Sequence, residues 1–384
     1  MDDQMITYDE YQKKVAETDK LTSKSSGFIA LGLVGEVGDL LSLIKKEQRD
    51  LFVIGSLEEH LHEELGDVLW YVTSLINREG YDIREVVRNS FVLIKDEHSE
   101  FDPLLLKSLN ELDALSASHN LNLDILESAL EVATSLSLLL TLYSGRQVET
   151  HQDKSSVISN FLGKLIIFSL SKRMVISKAI SRNLKKIESR WPEKEVYPEP
   201  FDKAHEEYER FPDKVNFIFR EIDLGEKKFV IQQCQGVNIG DRLTDNKKDK
   251  DDYRFHDVFH ICFAVHLGWS PVLRALLRLK RKNISSTDEN QDGARAIIIE
   301  EGVSTFVFSR ALNQSLFENI ERLDYDLLKF IQEFVKGYEV EKCNLWQWEK
   351  AILDGYKVFR QMKKSRKGKI VADFVSHSVT FEEL

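Results

Sequence analysis

From Leu31 to Tyr71 the chain sets apolar positions three and four apart, reading LGLVGEVGDLLSLIKK, a charged spacer, then LEEHLHEELGDVLWYV. That spacing predicts two amphipathic helices. Similar patterns predict helices near 6–19, 26–47, 57–79, 82–97, 104–116, 122–144, 154–172 and 175–190. Proline placement agrees. Of six prolines none precedes Pro103, none lies between Pro103 and Pro192, and four cluster at Pro192, Pro198, Pro200 and Pro212. The stretch WPEKEVYPEPF reads as a linker, with a helical region before it and another domain after it. FVIQQCQGVNIGDRL has strand character, so a small sheet or hairpin is expected near 216–243.

The polar positions of the first two helices carry the chemistry. Glu36 and Asp39 are three apart in one helix, and Glu64 and Asp67 three apart in the next. Residues at i and i+3 share a helix face. Packed antiparallel, the two helices would gather four carboxylates. Such a cluster needs neutralising, because each buried charge raises its neighbours' pKa. All-oxygen ligation suits Mg²⁺, with Mn²⁺ as the substitute. Charge runs are usually solvated faces, but these acids sit among Leu40, Leu41, Leu65, Val68 and Leu69. Gly35, Gly38 and Gly66 are interleaved with them, and glycine weakens a helix unless close packing requires it.

The E-x-x-D, spacer, E-x-x-D arrangement resembles the MazG-like all-α nucleoside triphosphate pyrophosphohydrolases. That family's pattern is G-L-x-G-E-x-G-E, then E-E-L-G-D-V-L-W. Here it reads GLVGEVGD and EELGDVLW, departing at Asp39 alone. The segment Tyr8 to Lys20, YDEYQKKVAETDK, also resembles the family's first helix, and the likeness covers roughly residues 5 to 95. It implies cleavage of a nucleoside triphosphate to monophosphate and pyrophosphate. Glu36, Asp39, Glu64 and Asp67 are the expected metal ligands, Glu64 also being a catalytic candidate. Glu63 is a spare carboxylate able to orient water.

Substrate contacts are expected from Lys45 and Lys46, although lysines near a helix C-terminus are also favoured by the macrodipole. Trp70 could stack on a base, or belong to the core as aromatics at helical spacing commonly do. Asn89 and Asn183 are nucleotide contacts by resemblance alone.

The second half of the helical region reads as a faded copy of the first. SALEVATSLSLL aligns with LVGEVGDLLSLI, setting Glu131 under Glu36 and Thr134 under Asp39. FLGKLIIFSL aligns with ELGDVLWYVT, setting Phe161 under Glu64 and Lys164 under Asp67. Further on, Asn183 falls under Asn89. NLKKIESRWP, Asn183 to Pro192, resembles the family's closing motif and brings Lys185, Lys186 and Arg190 toward the nucleotide. Two arrangements stay open: a tandem duplication, or one domain closed by Asn183 to Pro192 around an insertion at 98–165. The fold class is thus mainly α. Residues 1–97 form a MazG-like helical unit, 98–191 a degenerate second copy or insertion, and 192–212 a linker. Residues 213–384 form a mostly helical C-terminal domain with a small β element.

The C-terminal half holds a second unusual cluster. His256 and His260 are four apart beside Asp257, and Glu300 and Glu301 follow later. An H-x-x-x-H pair with a distant acid has metal-ligand spacing. Paired histidines are more often hydrogen-bonded in a core, and Asp241, Arg242, Asp245, Arg254 and Arg295 crowd the same stretches, which suits a buried polar network under either reading. The run YRFHDVFH also resembles, loosely, a C-terminal region of some bacterial MazG-like proteins. The basic stretch Leu273 to Asn283 reads as a solvated helix face.

Composition narrows the classes. The net charge of −11 gives no strong nucleic-acid signal. Three scattered cysteines make no disulfide framework, which suits a reducing cytoplasm. The polar, acidic N-terminus shows no signal peptide, and no apolar run is read as membrane-spanning. The expected partner is a nucleoside triphosphate, with a homodimer left open. The alternative reading is a nucleotide sensor whose C-terminal His/Asp/Glu site is a separate metal hydrolase.

Overall fold

The computed structural model describes residues 6–50, 56–97, 113, 124–144, 153–225 and 227–384. They form two compact units, Met1–Trp191 and Pro192–Leu384. The helix expected near 104–116 lies outside the described residues apart from Asp113.

Among the described residues unit 1 has helices alone: α1 (Tyr8–Thr18), α2 (Ser26–Asp50), α3 (Leu57–Glu79), α4 (Ile83–Glu97), α5 (Ile125–Thr141), α6 (Lys154–Ser171) and α7 (Ile176–Arg190). Local chemistry fixes the ends. Thr7 and Glu10 make a reciprocal capping box on α1, Ser56 caps α3 through the Glu59 amide, and Gly80 closes α3 at φ 75°. The N-terminus of α7 takes its cap from outside the helix, the Ile176 N–H donating to Asp113 Oδ1 at 2.6 Å.

Two hairpins organise this unit, α2 with α3 and α5 with α6. They exchange the helices that follow them: α7 lies along α3, and α4 lies along α6. In the second hairpin, Lys164 pairs with Glu131 at 3.3 Å. An ion pair thus stands at the positions aligned with Asp67 and Glu36.

By length and composition α2 is long and apolar enough to cross a membrane over Ser26–Arg49, a span the sequence reading did not single out. Its buried side, with Ile29, Leu33, Val37, Leu40 and Ile44, belongs to the core of unit 1.

Unit 2 pairs helices with a five-stranded antiparallel sheet of order β3-β2-β1-β4-β5. The strands are β1 (Lys214–Leu224), β2 (Lys227–Cys234), β3 (Val237–Leu243), β4 (Lys367–Asp373) and β5 (Ser378–Glu382). The first three occupy the stretch expected to be β. The last two come from the C-terminus and were not anticipated. Along β1, Val215, Phe217 and Phe219 are buried in alternation, the period-2 pattern of a half-covered sheet. The helices are α8 (Asp257–Leu267), α9 (Pro271–Leu277), α10 (Ser285–Asn290), α11 (Ala294–Leu312), α12 (Tyr325–Phe334) and α13 (Leu345–Ser365). Every residue of α8 is buried. It packs along α13, and both meet β4 and β5.

Residues 192–212, read as a linker, are packed into unit 2. Asp202, His205 and Glu209 are buried, and the Arg274 guanidinium donates to Asp202 Oδ2 at 2.7 Å. The basic stretch 273–283 is not one solvated helix. Helix α9 stops at Leu277, and Arg281 is buried on Asp292 and Glu339 at 2.7 and 2.6 Å.

Candidate functional site

Three of the four predicted acids converge. Glu36 from α2 and Glu64 and Asp67 from α3 offer carboxylate oxygens within 4.8 Å of one another, all half-buried. Asp39 is exposed and outside this group. The i+3 step along α2 turns it by about 60° from Glu36, enough to leave the α2–α3 seam.

Helix α7 closes the site from the other side. Asn183, buried, donates from Nδ2 to Asp67 Oδ1 at 2.6 Å. The Lys186 ammonium pairs with both Asp67 oxygens. This approach depends on Gly66. A Cβ there would lie 2.6 Å from the Ala179 carbonyl oxygen and 2.8 Å from Asn183 Cβ. Gly35 and Gly38 differ, since a Cβ on either would meet nothing within 4 Å. The expectation that all three glycines serve close packing therefore holds for Gly66 alone.

Burial raises the Asp67 pKa above the ordinary carboxylate value, the Lys186 charge opposes this, and nearby Glu63 adds to the rise. Burial, then Glu36 and Asp67, likewise raise Tyr71. The sequence reading missed Tyr71; its place one turn after Asp67 was the available signal.

The remaining nucleotide candidates divide. Trp70 is a core residue, 8 % exposed, with its indole N–H donating to Thr18 Oγ1 at 3.2 Å, so of its two readings, base stacking and core, the structure matches the core one. Asn89 is exposed on α4, and Asn183 alone of the aligned pair meets Asp67. Lys45 and Lys46 are exposed. Nine residues along α2 place Lys45 roughly 13 Å from Glu36 and about half a turn round the axis, so it does not face the cluster. Arg190 stacks on Trp191 at 4.6 Å, one turn beyond Lys186. Lys185 is exposed.

The acidic trio fits a hard divalent cation. Its donors are all oxygen, and ligands opposite each other on Mg²⁺ lie about 4.2 Å apart. Oxygens within 4.8 Å need only small side-chain rotations to reach that spacing.

In unit 2 the structure also brings the predicted residues together. His256, His260 and Glu301 form a compact donor group. Glu300 Oε1 accepts from His260 Nδ1 at 2.8 Å and from the Ser270 hydroxyl at 2.6 Å, and the Val272 N–H donates to Oε2 at 2.8 Å. Asp257 lies 3.2 Å from His256 Nε2 and is held by the Gln232 amide. Neither Ser270 nor Gln232 was read from sequence. Ser270 was signalled as the N-cap before Pro271, whereas Gln232 depends on strand pairing. Arg254 makes a separate network with Glu221 and Asp245 at 2.7 and 2.5 Å.

Comparison with known proteins follows the same division. The chain is 42% identical over 53 residues to the Gene 37 protein of Mycobacterium phage L5, covering 13% of this chain and 46% of that protein. It thus spans about half the length of that curated relative. No solved structure matches the chain. Family models match in two places, the MazG nucleotide pyrophosphohydrolase domain over residues 25–95 and the MazG C-terminal domain over residues 196–384. With the acidic cluster inside the first segment and the histidine cluster inside the second, the chain is identified as a MazG-type protein carrying a nucleotide pyrophosphohydrolase domain and a MazG C-terminal domain.

Proposed function

We propose that unit 1 hydrolyses a nucleoside triphosphate to its monophosphate and pyrophosphate with Mg²⁺, or Mn²⁺ in its place. The observation that carries this reading is the convergence of Glu36, Glu64 and Asp67 within 4.8 Å at the α2–α3 seam. Bound there, a divalent ion would neutralise the acids, polarise phosphate oxygens and acidify a water.

The chain's own residues supply the rest. Glu36, Glu64 and Asp67 hold the cation. Glu63, close enough to raise the Asp67 pKa, is the carboxylate that orients the attacking water. Lys186, which neutralises Asp67, is the cation best placed to turn toward substrate phosphate. Asn183 keeps Asp67 oriented while that exchange occurs. Arg190, half-buried one turn further along α7, extends the same cationic side.

The test is pyrophosphate release from a panel of ribo- and deoxyribonucleoside triphosphates with Mg²⁺, comparing the chain with Glu64→Gln. The swap keeps shape and removes one ligand charge. Release that vanishes in the variant is expected, and the panel names the substrate. Release unchanged in Glu64→Gln, or absent from the unaltered chain, would defeat the reading.

A further inference from the structure

The histidine cluster of unit 2 has no part in the triphosphate chemistry proposed for unit 1. His260 is fully buried, with 0 % of its side chain exposed. Its Nδ1 faces Glu300, whose carboxylate is already fixed by the Ser270 hydroxyl and the Val272 amide. With Nδ1 held against Glu300, Nε2 is the nitrogen that the neutral imidazole would offer to a metal. That Nε2 has no hydrogen-bond partner. The Glu301 carboxylate lies 3.5 Å away, beyond a good N–H···O contact.

A buried imidazole oriented by a carboxylate, with its other nitrogen unsatisfied, is an expensive arrangement for a core helix. It is the usual arrangement behind a metal-binding histidine. His256 completes the pattern one turn earlier on α8. Its Nδ1 lies 2.9 Å from the Tyr253 carbonyl and its ring stacks on Tyr253, leaving Nε2 3.8 Å from Glu301 Oε2. The two histidines and Glu301 present one donor atom each within 4.8 Å of the others. Asp257, 3.2 Å from His256 Nε2, is a further carboxylate at the edge of the group.

We propose that His256 Nε2, His260 Nε2 and Glu301 bind a borderline divalent transition metal of the zinc or ferrous class, distinct from the hard cation of the acidic site. Two imidazoles with one carboxylate select such ions over Mg²⁺. Three protein donors leave a coordination position for water or a substrate oxygen. Glu301 marks the side from which it would enter, its side chain being 40 % exposed while both histidines are buried.

The experiment uses the full chain stripped with a chelator. Zn²⁺ is titrated by calorimetry, and Co²⁺ serves as a visible-absorption probe of nitrogen ligation. One Zn²⁺ equivalent is expected, with Co²⁺ bands showing imidazole ligation. Both signals should survive Glu64→Gln. Glu301→Gln, a change at a partly exposed position, should weaken binding on the order of 100-fold, and Glu300→Gln by roughly 10- to 100-fold through loss of the histidine's orientation. Circular dichroism and thermal melting identify any variant that fails to fold, in which case His256→Gln takes its place. The proposal is overturned by no Zn²⁺ binding in the unaltered chain, by binding that Glu64→Gln abolishes, or by full affinity in folded Glu301→Gln and His256→Gln.

Discussion

Two glycine-to-alanine changes in neighbouring helices should move stability in opposite directions. On Gly66 a Cβ would stand 2.6 Å from the Ala179 carbonyl oxygen, where ordinary contact begins at 3.4 Å, so α7 must retreat by about 0.8 Å. Overpacking of this kind costs about 1–3 kcal/mol. The better helix propensity of alanine returns about 0.5–1 kcal/mol, leaving a net loss near 1 kcal/mol. On Gly35 nothing lies within 4 Å, so only the propensity gain of about 0.5–1 kcal/mol remains. The difference between the variants therefore isolates the overpacking. In a unit of this size, 1 kcal/mol corresponds to about 2–4 °C in Tm.

Function should follow the same movement. A 0.8 Å retreat stretches the 2.6 Å bond from Asn183 to Asp67 to about 3.4 Å, the edge of hydrogen bonding. It also draws Lys186 off the carboxylate it neutralises. Urea denaturation followed by circular dichroism, with pyrophosphate release from the same samples, measures both effects. Gly66→Ala should unfold earlier than the unaltered chain and lose activity. Gly35→Ala should unfold later and keep it. Equal midpoints for the two variants, or a more stable Gly66→Ala, would refute the account of how α7 reaches the site.

Asp39 lies outside the acidic trio, so Asp39→Asn should lower apparent Mg²⁺ affinity by a smaller factor than Glu36→Gln in Mg²⁺ titrations of pyrophosphate release. Equal factors would show that Asp39 swings onto the ion when it binds. Trp70→Phe removes the hydrogen bond to Thr18 and should cost about 1 kcal/mol of stability with KM unchanged; a raised KM would restore the base-stacking role. His377 stacks on Tyr197 at 3.5 Å and bonds the Val265 carbonyl at 2.8 Å. Burial lowers its pKa below the ordinary histidine value, opposed by the Val265 hydrogen bond and Asp373 and helped by His266 and Lys350. The unfolded chain then binds more protons than the native one between the lowered pKa and about 6.5, so stability rises with pH across that window and falls on acidification. Thermal melts from pH 7 to pH 5 should show the loss, and His377→Gln should flatten it.

Much of the fold was legible because its information is local. Apolar spacing and caps placed α1 to α4 and α5 to α7 within a few residues of their observed ends. The same periodicity put Glu36 and Glu64 on facing stripes. The β1–β3 meander was legible from its apolar, β-branched run. The hairpin β4–β5 was not, because it follows a long helix and pairs with β1 more than 140 residues earlier.

What the sequence by itself determined is which residues share a helix face, since i and i+3 positions coincide whatever surrounds the helix. Which face meets which neighbour was decided only by tertiary structure, because the rotation of a helix about its axis is set by packing. That rotation placed Asp67 in the seam and left Asp39 outside it, and it sank Trp70 into the core. It also brought Asn183 and Lys186 onto Asp67 from more than 115 residues away, through a contact that Gly66 alone permits. In unit 2, spacing named His256 and His260. Only the fold supplied Glu300 and Ser270 behind His260, because a fully buried imidazole needs a partner and packing chose which one.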